Sequence, residues 1–254
     1  MKAPSAFRGG GCACRTTQQL QYRELRIGSC GSIPGPGRRA GRTLNAVAET
    51  DDGSARPRLT ARGAATRARI VSAADDLMHE RGVAKTTLAD VRTASGTSKS
   101  QLYQHFVDKD ELVREVISAR ASRLLDEQRH RLLRLDSLRG LELWRDTLVE
   151  RNALRNGAHG CPLGSLAAEL ADLDEDARKD IERYFEAWHG LLADGLERMR
   201  HNGTLRRDAD PGALATGLLA ALQGGYLLAQ TARDVAPMRT ALDMAIGHVR
   251  SFAA

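Results

Sequence analysis

The segment KTTLADVRTASGTSKSQLYQHF, residues 85–106, decides the fold. It reads as two short helices joined by a tight turn, with Thr86 or Thr87 capping the first, Ser95-Gly96-Thr97 forming the turn and Ser98 capping the second. Leu88 and Val91 of the first helix, with Leu102 and Phe106 of the second, are spaced to face one small core. The second helix is then held outward, and Lys99, Ser100, Gln101, Gln104 and His105 form its polar face. A helix-turn-helix presents such a helix to the major groove of DNA.

The residue types suit that placement. Glutamine makes paired hydrogen bonds to adenine, lysine reaches guanine or a phosphate, and serine serves either. Tyr103 is placed for a phosphate contact, and Lys109 either binds phosphate or is merely solvated. Thr87, at a helix start that attracts anions, is both a cap and a phosphate contact, and Thr86, Thr97 and Ser98 complete the candidate DNA-binding set. Two readings of Gln101 stay open: it contacts a base, or, three residues after Ser98, it folds back to complete a capping box.

Upstream, Ile70, Ala73, Ala74, Leu77 and Met78 trace the stripe of an amphipathic helix from about Ala64 to Arg81, with Gly82 as a left-handed stop. Residues 1–58 are rich in Gly, Arg, Ser and Pro and show no sustained periodicity. They read as a disordered basic extension or as an over-extended translation start. Gly35-Pro36-Gly37-Arg38-Arg39-Ala40 fits a loose dinucleotide-loop pattern, but no strand precedes it. Arg38-Arg39 lacks the apolar stretch of an export signal, and no run approaches the roughly 18 apolar residues of a span. A cytoplasmic protein with no membrane partner is expected.

Charge separates the chain further. Residues 1–58 hold 10 Lys and Arg against 4 Asp and Glu, residues 59–107 hold 7 against 4, and residues 108–254 hold 21 against 24. The basic front is where phosphate contacts belong. The expected organisation is a helix-turn-helix domain over 59–107 and a helical ligand-sensing and dimerisation domain over 108–254. The fold class is all-α, with a three-helix N-terminal domain followed by a C-terminal bundle.

Further helix starts are marked at Asp108, with Glu111 at capping spacing, at Asp210-Pro211 and at Pro237. Leu214, Leu218, Ala221, Leu222 and Gly225 share one face of the helix from Pro211, and Leu242, Ala245 and Val249 share one face of the last. These stripes form a four-helix dimer interface or complete the core of one chain. The need of a helix-turn-helix for a twofold partner favours the dimer. Trp144, Phe185, Trp188 and Tyr226 fall on different helices of a chain poor in aromatics and suggest a small-molecule pocket, with Cys161 and Gln223 adding polar contacts. Alternatively, each is ordinary core or surface.

An enzyme using His159 and Cys161 lacks a third catalytic partner, and a metal site there lacks its remaining ligands; neither catalysis, cofactor nor metal is expected. A helical protein-interaction adaptor is the other alternative to a regulator.

Residues 64–117 resemble the TetR-type regulators in the helix-one stripe, the lead-in TTLADV, the turn SGT, and LYQHF followed by DKDEL. Arg92 and Ser95 stand where such regulators commonly have alanine, Thr97 where valine is usual, and Ser100 where glycine is frequent. The C-terminal half is similar to the LmrA and YxaF branch of that family through CPLGSLAAELADLDEDAR, a Trp188-containing helix, GTLRRDADP and ALQGGYLLAQTARD. The resemblance implies a homodimeric repressor that binds a palindromic double-stranded DNA operator and is released by a small-molecule inducer of unidentified, hydrophobic or aromatic chemistry.

Overall fold

A computed structural model describes residues 60–254, so the expectations for residues 1–58 lie outside the described residues. Nine helices follow in order among the described residues: α1 (Ala61–Arg81), α2 (Leu88–Ser95), α3 (Lys99–His105), α4 (Lys109–Leu132), α5 (Leu138–Ala153), α6 (Pro162–Leu170), α7 (Glu175–His201), α8 (Pro211–Ala232) and α9 (Ala236–Arg250). The same residues contain no strand, only one isolated antiparallel bridge between Leu205 and Ala253. The fold is all-α.

The helix starts are set by side-chain oxygens that accept otherwise orphaned N–H groups. Thr60 accepts from Gly63 at 3.2 Å, so α1 begins a turn earlier than its apolar stripe suggests. Asp108 accepts from Glu111 at 2.8 Å, and Asp210 caps α8 ahead of Pro211. Gly82 ends α1 with φ 84° and ψ 162°, a positive-φ stop that is extended in ψ and not the left-handed helical cap expected.

Ile70, Ala74 and Leu77 of α1, Val91 of α2 and Leu102 and Phe106 of α3 form the first part of the core. That part is continuous with Leu112, Val113 and Val116 of α4, and through α4 with the bundle around Leu163, Trp188, Leu192 and Leu222. Polar ties reinforce the junction. Arg67 forks onto Glu115, with one of its two hydrogen bonds at 2.8 Å, and Arg120 donates through Nε to Asp75 at 2.7 Å and through a terminal nitrogen to the Pro162 carbonyl at 3.2 Å. Arg120 is buried, so its pairing with Asp75 is required to hold a charge there.

In the bundle, α8 packs against both α7 and α9. The α8–α9 crossing is close because Gly225 lies where a Cβ would come within 2.9 Å of Met238 Cα. The expectation that no stretch is long and apolar enough for a span needs correction. The 22 residues of α8 are so by length and composition alone. Thr216, Gln223 and Gln230 interrupt its apolar run without lowering its average much.

Candidate nucleic-acid interface and cavity

α3 is held at both ends. Ser98 Oγ accepts from the Gln101 N–H at 3.1 Å, and Gln101 Oε1 accepts from the Ser98 N–H at 2.9 Å. Leu102 and Phe106 are buried beneath it, with the Arg67 guanidinium 5.1 Å from the Phe106 ring centre. Because a seven-residue helix has too few internal bonds to persist alone, these anchors define its position. Ser98, Lys99, Ser100, Gln101, Tyr103 and Gln104 are left exposed, and His105 is half-buried. Of the two readings of Gln101, the structure has the capping box; Gln104 is the glutamine without a capping role.

The outward set is smaller than the sequence suggested. Thr86 is 1% exposed and donates its hydroxyl to the Gly82 carbonyl at 2.9 Å. Thr97 is 7% exposed, and its hydroxyl lies 2.9 Å from that of Ser95, which in turn donates to the Arg92 carbonyl at 3.3 Å. These two threonines hold the motif from inside. Thr87 caps α2 and is exposed, exchanging hydrogen bonds with Asp90. Lys109 is half-buried, and its Nζ donates to the Val83 carbonyl at 2.7 Å. Arg92 is exposed, as its replacement of alanine requires.

A cavity of about 370 Å³ opens between α1, α4, α5 and the residues leading into α6, with Trp188 of α7 and Tyr226 of α8 on its wall. Of the expected ligand residues only those two line it. Trp144 lies behind the wall, donating through Nε1 to Gln128 at 2.9 Å. Phe185 stacks parallel to Trp188 with ring centres 6.5 Å apart, outside the cavity lining. Cys161 is buried next to Pro162 and does not line the space. Gln223 does not either; its Oε1 sits where a Cβ on Gly164 would come within 2.5 Å.

What sequence reasoning missed is the charge. Arg120, Arg123, Arg151 and Arg155 line the cavity with Asp75, Asp76 and Glu127. Helical spacing was the available signal: residues 120, 123 and 127 share one face of α4, and 151 and 155 are one turn apart. Arg123 pairs with Asp75 and Arg151 with Glu127. The hydrogen bond from Arg151 holds the Glu127 carboxyl below its ordinary range.

Cys161 and His159 each have other surroundings. Burial pushes the Cys161 thiol up, the opposite of what a nucleophile needs. The His159 ring packs on His79 at 4.6 Å between centres. Among the described residues no group of three or more His, Cys, Asp or Glu is placed to hold a metal ion.

The residues expected at the dimer interface face inward. Leu214, Leu218, Leu222 and Gly225 of α8 and Leu242 and Val249 of α9 are buried within one chain, with Ala221 and Ala245 half-buried beside them. They complete the core of one chain, the alternative the stripes left open, because α8 and α9 pack their larger residues against each other and α7. The outward faces carry small and exposed apolar residues instead: Gly217, Ala220, Gly224, Leu227 and Leu228 on α8, and Met244 and Gly247 on α9.

Comparison with known proteins agrees with this geometry. Residues 70–116 match the family of bacterial regulatory proteins of the tetR type, and residues 138–244 match the C-terminal domain of LmrA/YxaF-like transcriptional regulators. An HTH-type transcriptional regulator from the lacX 3′ region of Lactococcus lactis subsp. lactis is 28% identical, over 70% of this chain and 90% of its own length. The HTH-type transcriptional repressor DhaR of Mycobacterium sp. (strain GP1) is 26% identical over 68% of this chain and 86% of its own. The crystal structure of regulatory protein TetR from Rhodobacter sphaeroides shares the fold, with a TM-score of 0.65 at 22% identity, covering 72% of this chain and 98% of that one. An outward α3 seated on a shared core, followed by a bundle that matches a second family of the same lineage, identifies the chain as a DNA-binding transcriptional regulator of the TetR family with an LmrA/YxaF-like C-terminal domain.

Proposed function

We propose that this regulator is a cytoplasmic repressor that binds a twofold-symmetric operator as a homodimer and leaves it when a small molecule enters the cavity. The observation that carries the reading is α3, whose buried side is fixed by Leu102 and Phe106 while Lys99, Ser100, Tyr103 and Gln104 stay free on the other. Lys99 and Tyr103 contact phosphate and Gln104 reads a base, with Ser98, Ser100, Gln101 and Thr87 at the margins. Repression is supported by the likeness to the repressor DhaR.

The twofold contact is assigned to the outward faces of α8 and α9. Glycines 217, 224 and 247 leave open space there, which lets two helix pairs approach closely, and Leu228 and Met244, 55% and 73% exposed, supply apolar area to bury. Two recognition helices then reach half-sites about 34 Å apart.

The route from cavity to DNA runs along α6. Pro162 lines the cavity and its carbonyl is held by Arg120. At the far end Glu169 accepts the Val83 N–H at 2.7 Å, just ahead of the helix-turn-helix. A ligand that displaces Pro162 thus acts on the backbone that positions α2 and α3.

The test is binding to the intergenic DNA beside the protein's own gene across a salt series, with the wild type and Gln104→Ala. Saturable binding that prefers this DNA over random duplex, lost in Gln104→Ala, is expected, with affinity falling steeply as salt rises. Equal affinity for both duplexes would overturn the reading. Deletion of the gene raises expression of the adjacent gene for a repressor and lowers it for an activator. Leu228→Glu with Met244→Glu should yield a monomer in analytical ultracentrifugation.

A further inference from the structure

The cavity walls carry more positive than negative charge: four arginines against three carboxylates. Asp75 is shared by Arg120 and Arg123, and Glu127 is taken by Arg151. Arg155 makes no side-chain hydrogen bond or close ion pair among the described residues, though it adds to the positive field at Glu127, and Asp76 is exposed to solvent. One guanidinium at the cavity therefore feels the Glu127 carboxylate, which Arg151 already holds, without a carboxylate in direct contact with it among those residues.

A second set of unmet groups lies on the same wall. The Trp188 indole N–H and the Asn152 side-chain carbonyl are buried without a hydrogen-bond partner, and both residues line the cavity. Native interiors seldom leave such groups alone. Tyr226 adds a hydroxyl, and burial pushes its ionisation well above the ordinary value, so it remains a protonated donor. Leu124 and Leu148 supply apolar wall between these groups.

Resting on the reading of this cavity as the effector site, we propose that its ligand is a small, flat organic carboxylate that also bears a hydroxyl. The carboxylate pairs with Arg155, with Tyr226 as a further donor. The ring lies along Leu124, Leu148 and the Trp188 edge, and the hydroxyl meets the Asn152 carbonyl. A ligand of this class supplies a carboxylate in direct contact with Arg155 and an acceptor for the Trp188 N–H. A neutral amide of the same shape supplies neither charge nor a paired fork for a guanidinium.

The experiment uses the full chain and two probes, para-hydroxycinnamate and its uncharged primary amide, with affinities read from calorimetry. The carboxylate should bind about tenfold more tightly than the amide, as loss of one charge-assisted contact at a partly exposed site predicts. Arg155→Ala should reduce that preference to less than about threefold, and Arg155→Glu should reverse it. Because Arg155 is exposed and makes no side-chain hydrogen bond within the described residues, Arg155→Ala should leave the thermal midpoint near the wild-type value.

Equal binding of the two probes, a carboxylate preference that survives Arg155→Ala, or no binding of either compound at millimolar concentration overturns the assignment. Operator DNA titrated in the same samples separates the two claims. Carboxylate-selective binding that leaves the DNA bound upholds the assignment and removes the effector role. Release of DNA by both probes alike upholds the effector role and removes the assignment.

Discussion

Ser95 and Thr97 form a buried pair of hydroxyls inside the turn of the motif, and the structure predicts that they stabilise it only together. Thr97 is closed from solvent, and the Ser95 oxygen at 2.9 Å is its hydrogen-bond partner; Ser95 is also bonded to the Arg92 carbonyl. Ser95→Ala strands the Thr97 hydroxyl, and a buried polar group left unpaired costs about 1–3 kcal/mol. Thr97→Val is nearly isosteric and leaves Ser95 with Arg92, so it should cost less than about 1 kcal/mol. In the double variant no hydroxyl is stranded, and the Arg92 carbonyl keeps the Thr97 N–H at 3.2 Å. Its cost should again be under about 1 kcal/mol, a coupling of about 1–2 kcal/mol between the two sites. Urea denaturation of the four proteins, at one protein concentration so that association does not shift the midpoints, measures that coupling. If the two single costs sum to that of the double variant within about 0.5 kcal/mol, the hydroxyl pair is not the reason these two residues occur together.

Three other expectations follow from the packing and charge. Gly225→Ala should destabilise by about 1–3 kcal/mol, since its methyl meets Met238 backbone, whereas Gly190→Ala on α7, which meets nothing, should stabilise by up to about 1 kcal/mol; urea midpoint shifts of the same sign would contradict the close crossing. Burial, then the neighbouring His159 and Arg120, lower the His79 pKa from 6.5, so the unfolded chain takes up this proton first and stability falls as pH drops below about 6.5, levelling once the folded-state value is passed. Thermal midpoints from about pH 7.5 to 5 should therefore decline less steeply in His79→Asn than in the wild type. Lys99→Ala should weaken binding to operator and random duplex alike and, with one Lys99 in each half of the dimer, reduce the slope of log affinity against log salt by about 2; a change confined to the operator would make Lys99 a base contact.

The motif was legible because each of its signals is local. Thr87 and Ser98 cap at the positions their spacing implies, and Leu102 and Phe106 fall inside as the 3.6-residue period requires. Gln101 shows where that reasoning stops, since one spacing supports both a cap and a base contact, and only its rotamer in the folded chain places its oxygen on the Ser98 amide. The facing of α8 was not legible. With no charge along 22 residues, this helix offers apolar side chains on every side, so periodicity selected the stripe of Leu214, Leu218 and Leu222 but not whether it met its own chain or another. The cavity was misjudged for a different reason. Its aromatics were sought as single residues of rare type, while its arginines and carboxylates come from helices separated by tens of residues and declare themselves only when those helices meet.

The boundary near residue 107 passes through a core instead of beside one. Phe106 and Ile70 are sealed by Leu112, Val113 and Val116 of α4, and the two shortest elements, α2 and α3, are 8 and 7 residues long. A headpiece cut after His105 would lose the floor on which its recognition helix stands and leave an open apolar wound on both fragments. Grafting this DNA specificity onto another regulator therefore has to exchange the first turns of α4 along with the motif, and chimeras spliced in the turn before α4 should be recovered as aggregates.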